Sequence, residues 1–313
     1  MAYTYVLQIP FDTGDNTLVK RPRDTLVIGD NDGVRFLFDL DFPWSYPGGP
    51  VEARQPAGAP ADGAALYDMV ERANGAARIA QPGAITFAGR GFDFSAVTTR
   101  SNFIEIPGSV ATDLWNPVNG KSQLYLMMLY LRMPTLANWA EVNQFFNSAP
   151  LLSWCAKTNV NWGSADVDLV SLTAFNNGMY AKRMTAGYVA SPTTNAVYVD
   201  IAATLAQCQV HQGRFTQVGI YRTESAYGLR FRSSAGTTLL EIGASGTAST
   251  TSFAGAIGRL GISNIMGWPA TITNAHDFRI YRAAIENLAR SGRDPKAVLD
   301  ADYTRTTTRA VFA

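Results

Sequence analysis

With two cysteines and two histidines in 313 residues, this sequence has little soft-ligand chemistry to offer. Cys155 and Cys208 are too few for a disulfide framework. Leu151-Leu152-Ser153-Trp154 precedes the first and Thr204-Leu205-Ala206-Gln207 the second. Such apolar or strand-like surroundings suit buried, reduced thiols, with a single inter-strand bridge as the alternative. His211 and His276 lie far apart, which argues against zinc. Excess charge is missing too: 26 basic and 25 acidic residues leave a net charge of +1. That removes the electrostatic footprint of a nucleic-acid binder and of an adhesive basic membrane surface. No segment approaches the roughly 20 apolar residues that span a bilayer. The opening MAYTYVLQIP has neither the basic stretch nor the long apolar core of a signal peptide. Gly-x-Ser-x-Gly elbows, Walker loops, dinucleotide fingerprints and Asn-x-Ser/Thr triplets are absent as well.

What is present is core material, 47% apolar, arranged in short alternating runs. Arg35–Phe42 sets Phe36, Phe38, Leu40 and Phe42 on one face and Arg35, Asp39 and Asp41 on the other, which predicts a half-buried strand. Ser122–Met133 is different. Leu124, Leu126, Met128 and Tyr130 form one face, and Tyr125, Met127, Leu129 and Leu131 the other. With both faces apolar, this is a strand covered on both sides, a buried helix being the competing reading; the cover is expected from within the chain, from the N-terminal arm or the Pro/Gly-rich loop, rather than from a neighbouring subunit. Further strands are predicted at Leu151–Ala156, Val167–Phe175, Tyr180–Ala186, Val197–His211, Thr216–Thr223, Gly228–Arg232 and Leu239–Ile242. Asn176-Asn177-Gly178 and Ser234-Ala235-Gly236 supply turns. Leu136–Phe146 has the spacing of a helical insertion. Pro43–Gly63, rich in Pro, Gly and Ala, predicts an extended loop in which Trp44 and Tyr46 either pin it to the folded domain or form a contact for a partner. The Thr304–Ala313 tail, with Arg305 and Arg309, is expected either to fray or to add a strand to a neighbouring subunit.

Two segments carry a resemblance. Gly91-Phe92-Asp93-Phe94, followed by Asn102-Phe103-Ile104-Glu105-Ile106, reads as paired strands with Phe92, Phe94, Ile104 and Ile106 turned inward. Asp277–Arg290, DFRIYRAAIENLAR, reads as a strand running into a short helical turn. Together with Arg259-Leu260-Gly261-Ile262 they resemble the laminin-G-like, concanavalin-A-like family of β-sandwiches. The resemblance implies an all-β fold, an antiparallel β-sandwich of jelly-roll type with short helical insertions. It would comprise an N-terminal arm, 1–32, and a sandwich domain with its tail, 33–313.

That fold serves binding more often than chemistry. Glycanases that use it place acids along one strand as Glu-x-Asp-x-x-Glu, and no such motif occurs here. Asp166 and Asp168, two acids on one face, come nearest. With Trp162 they are instead the candidate carbohydrate-binding residues, an aromatic platform beside acids. Trp115, Trp139 and Trp268 are further loop aromatics. Laminin-G-like domains often carry a calcium ion at a loop rim, and Asp30 and Asp32 in GDNDG are the candidate ligands. A recognition fold on a chain without an export signal matches a bacteriophage virion protein, assembled in the host cytoplasm. The expected role is a non-enzymatic tail fibre, tail-tip or capsid-decoration component. Its expected partners are other virion proteins, host-surface glycan and further copies of itself. A bacterial lectin and a divergent glycanase are the alternatives.

Overall fold

The computed structural model describes residues 26, 33–42, 45–46, 57–70, 76–80, 83–99, 101–115, 124–135, 149–155, 169–175, 178–184, 199–243, 256–263 and 277–309. They form two eight-stranded sheets whose ladders are all antiparallel. The back sheet runs β11 (Val199–Ala203), β10 (Gly178–Met184), β9 (Leu169–Phe175), β8 (Ala149–Cys155), β15 (Ile257–Ser263), β6 (Ser101–Ile106), β3 (Ala76–Ala80) and β2 (Ala65–Tyr67). The front sheet runs β14 (Gly236–Gly243), β13 (Ala226–Ser233), β12 (Phe215–Arg222), β7 (Tyr125–Arg132), β16 (Arg279–Asn287), β5 (Gly91–Asp93) and β4 (Thr86–Ala88). The far edge of β16 is shared. Arg279 and Ile280 pair with β5, and after a register shift Arg282 to Glu286 pair with β1 (Val34–Asp39). The chain is thus an antiparallel β-sandwich.

Alternation fills the space between the sheets. Phe36, Phe38, Met127, Leu129, Val218, Ile220 and Leu229 face Ile104, Leu152, Trp154, Leu172 and Ile262, all at most 2% exposed. Full burial of each such side chain contributes about 1.5–3 kcal/mol. Phe92, Phe94, Ile104 and Ile106 point inward as expected, and Asp93 and Glu105 point away. Tyr46 does hold its loop to the sandwich, with its ring 5.0 Å from both Phe87 and Phe92.

Both-sided burial of Ser122–Met133 is also observed. Tyr125, Met127, Leu129 and Leu131 belong to the inner core, while Leu124, Leu126, Met128 and Tyr130 belong to a second apolar cluster outside the front sheet. Val298, Leu299 and Tyr303 supply the cover, with Leu26, Met69 and Val70 beside them. Rather than fraying or adding a strand, residues 304–309 form the end of the same 15-residue helix, Pro295–Arg309, lying on its own front sheet. Thr304, Thr307 and Thr308 return their hydroxyls to backbone carbonyls one turn back, so the β-branched run is accommodated in the helix. The expectation of a half-buried first strand is corrected for the same reason. Every residue of β1 is buried, Arg35 and Asp39 included, because its second face lies under this outer layer.

Three shorter helices complete the described elements: α1 (Gly108–Trp115), α2 (Leu205–Gln209) and α3 (Leu288–Ser291), with Pro295–Arg309 as α4. Val197–His211 is therefore not one strand. It is β11 followed by α2, divided by a capping box in which Thr204 and Gln207 exchange side chain-to-backbone bonds. β16 runs into α3 as expected, with Asn287 as N-cap accepting from the Ala289 and Arg290 N–H groups.

Candidate functional site

Two features of the front sheet stand out: its outer layer and its long free edge. On the outer face the strands supply both a bed and a set of charges. Gly219 on β12 leaves room for the Leu299 side chain, which would lie 2.8 Å from a Cβ at that position. Gly228 on β13 gives way to the Tyr221 ring in the same manner. Around this bed the arginines and carboxylates interlock. Arg282, fully buried on β16, bridges Asp39 on β1 at 2.6 Å and Asp302 on α4 at 2.9 Å. Tyr130 donates its hydroxyl to Asp302 at 2.7 Å, and Gln217 donates to Tyr130 Oη at 2.7 Å and to the Leu299 carbonyl at 2.9 Å. From the helix, Arg305 pairs with Asp302, and Arg309 pairs with Asp39 and reaches Asp41 at 3.3 Å. Arg230 and Arg232 both pair with Asp300, and Arg293 grips Glu286 at 2.8 and 2.5 Å. Arg232 and Arg309 also stack over Tyr303 and Phe42, each 4.5 Å from the ring centre.

Burial and charge set the ionisation here. Tyr130 is pushed well above the usual phenol range, first by burial and then by the Asp302 charge beside it. Burial pulls the Asp93 carboxyl upward, but Ser95 hydrogen bonds and Arg279, 2.7 Å away, outweigh it and hold the group below its ordinary value. These carboxylates are committed to arginine; none is presented as a free acid.

The second feature is β14. Large apolar side chains exposed among the described residues are Tyr67, Val210, Leu239 and Ile242, and two of these four lie on this one edge strand. His211, wholly buried, ties the β13–β14 hairpin to the turn after α2: Nδ1 lies 2.8 Å from Ser233 Oγ and Nε2 3.0 Å from Thr238 Oγ1. Burial, and then the Arg214 charge, lower its pKa below 6.5. Cys208 is a free, buried thiol whose pKa burial pushes up to about 12, which leaves it unreactive.

Trp162, Asp166 and Asp168, proposed from the sequence as a sugar platform, lie outside the described residues, as do Asp30 and Asp32 and the remaining loop aromatics Trp139 and Trp268. Trp115 ends α1 rather than standing in a loop. Among the described residues no group of three His, Cys, Asp or Glu could hold a metal ion, and no helix is long and apolar enough to cross a membrane. Sequence reasoning missed the Arg282 network because its members are scattered over β1, β7, β12, β16 and α4. Two signals were nonetheless present: glycines inside strands, and Asp294-Pro295 as a helix start.

No protein-family model matches the sequence, and no curated protein matches it. Among solved structures, a Trypanosoma rangeli sialidase is similar over 79% of this chain, with 10% identity and a TM-score of 0.41. The match takes in 32% of that enzyme, so this chain spans about a third of its length. Arcelin-5, a lectin-like defence protein from Phaseolus vulgaris, is similar over 64% of this chain and 89% of its own, with 8% identity and a TM-score of 0.37. The CBM2 module of the evolved Dit of Lactobacillus casei BL23 phage J-1 is similar over 66% and 80%, with 12% identity and a TM-score of 0.32. Likeness at this level brings no ligand or activity with it.

Proposed function

We infer that this chain is a non-enzymatic structural and adhesive β-sandwich of a bacteriophage particle, working by surface contact with partner proteins or host-surface glycan. One observation carries the contact reading. Among the described residues, Asp39, Asp93, Asp300, Asp302 and Glu286 on the front sheet and its helix are each held by an arginine, and Glu241 by Lys296. Glycoside hydrolysis needs two carboxyl groups about 5–10 Å apart, one of them free to carry a proton. A face whose acids are locked in ion pairs builds a rigid wall and leaves recognition to the rim and the edges. The particle assignment draws its support from composition: near-neutral charge, scarce cysteine and a large apolar share.

Mass spectrometry of purified particles from the host that carries the gene tests the assignment. Many copies per particle are expected, with hundreds indicating a capsid decoration and a few indicating a fibre. Absence from intact particles overturns it. A glycan array with the isolated chain, run with and without calcium, then separates a lectin from a purely structural protein.

A further inference from the structure

We propose that β14 is a self-association strand: two copies of this chain join their front sheets edge to edge, β14 against β14 in antiparallel, about a two-fold axis at Leu239. The inference does not depend on the particle assignment.

The back sheet ends in β2, three residues long, and β11, five residues long; the front sheet ends in β4, three residues long, and β14, eight residues long. β1, six residues long, is a further edge beside β16, and there Leu37 already donates to Asp68 and accepts from the Met69 N–H. Short edges deny other chains a template, and lysine, proline or a bulge does the same for longer ones. β14 has none of these guards. It reads Gly-Thr-Thr-Leu-Leu-Glu-Ile-Gly, without Lys, Arg or Pro, and keeps an unbroken register with β13 over its whole length. Its one charge, Glu241, is already matched by Lys296 at 3.2 Å and by the Tyr221 hydroxyl at 2.9 Å.

The ladder says which groups are free. Ala226 offers its carbonyl to Thr223 on the β12 side, so alternation turns Tyr227, Leu229, Phe231 and Ser233 toward β14, where they meet Ile242, Leu240, Thr238 and Gly236. The N–H and C=O groups of Thr237, Leu239 and Glu241 consequently point away from the sheet. Among the described residues no strand lies beyond them. Side chains sort in step. Glu241 meets Tyr221 and Lys296 on the outer face, while Leu240 packs toward the inner core, so Thr237 and Leu239 share the outer face with Glu241.

An axis at Leu239 brings these outward groups into register with their own copies. Leu239, now 43% exposed, meets the second copy's Leu239, and Thr237 meets the second copy's Glu241. About six backbone hydrogen bonds form, and no like charges face each other. An axis at Glu241 would oppose two carboxylates, and one at Leu240 would set Leu239 against Glu241. The Leu239 axis sets the exposed leucine against its own copy and opposes no like charges, which is why a second copy rather than a foreign strand is the assigned occupant.

Sedimentation of the full chain at micromolar concentration is expected to give a dimer. Leu239→Lys sets two ammonium groups face to face at the axis and is expected to weaken the dimer at least about a hundredfold. At dilutions where both chains are monomeric the thermal midpoint should not move, because the side chain is exposed there. Leu239→Cys is expected to yield a covalent dimer under mild oxidation, whereas Thr238→Cys, turned toward His211, and the unmodified chain are not. A chain that stays monomeric to about 100 μM overturns the proposal and leaves β14 open to a strand of another protein. A dimer that survives Leu239→Lys and is not trapped by Leu239→Cys overturns it equally.

Discussion

On its inner side the front sheet meets the back sheet mostly through hydrocarbon and rings, with neutral hydrogen bonds such as that between the Tyr125 and Tyr227 hydroxyls; on its outer side it meets α4 through hydrocarbon interrupted by the charges of Arg282, Asp39 and Asp302. Both layers are buried, yet they differ in what a single change leaves behind. Truncating an inner residue leaves a hole. Removing Arg282 leaves two carboxylates buried beneath a helix, with only Arg309 and Arg305 to neutralise them from one side. The inner layer tolerates wrong shapes better than the outer layer tolerates wrong charges.

The sharpest break in that comparison is Arg282→Met, expected to destabilise by about 3–5 kcal/mol in chemical denaturation. Arg282→Lys should recover little, since one ammonium cannot reproduce a planar fork that serves two acids. An inner change of similar volume, Leu129→Ala, is expected to cost about 2–5 kcal/mol, with the same value at low and high salt. Tyr130→Phe tests the outer layer more gently. It removes the hydroxyl between Asp302 and Gln217 while keeping the ring stacked on Phe215, and should cost about 1–3 kcal/mol by the same measurement. The smallest effect concerns His211, whose pKa is lowered in the folded state. Its contribution is therefore complete above 6.5, the unfolded value, and is lost as pH falls through the folded value. Denaturation midpoints should decline on acidification below 6.5, and His211→Gln should flatten that decline.

The sandwich was legible because period-two alternation is a local signal: Phe92, Phe94, Ile104 and Ile106 carry their facing in the sequence itself. The doubly apolar β7 even announced a missing cover. What covered it was not readable from Thr304–Arg309, where β-branched residues suggest a strand. Tertiary ion pairs and threonine back-bonding overrode that propensity. α2 was hidden within an alternating run, although Thr204-x-x-Gln207 was a capping signal in plain view. The proposed sugar and calcium residues, Trp162, Asp166, Asp168, Asp30 and Asp32, fall outside the described residues, so the part of the sequence reading aimed at a ligand stays a proposal.

Arg309 reaches back across 270 residues to Asp39, and β1 closes on β16 across a similar span. A nascent chain therefore cannot finish its front sheet until nearly all of it has been synthesised, and α4 follows every described strand in chain order. Until then Leu126, Met128 and Tyr130 present a bare apolar stripe. Pairing of such distant segments is slow, on the order of milliseconds to seconds once the chain is free. A premature stop before Pro295 would thus produce more than a shortened protein: it would leave that stripe permanently open, and such truncations should collect in the insoluble fraction of the expressing cell.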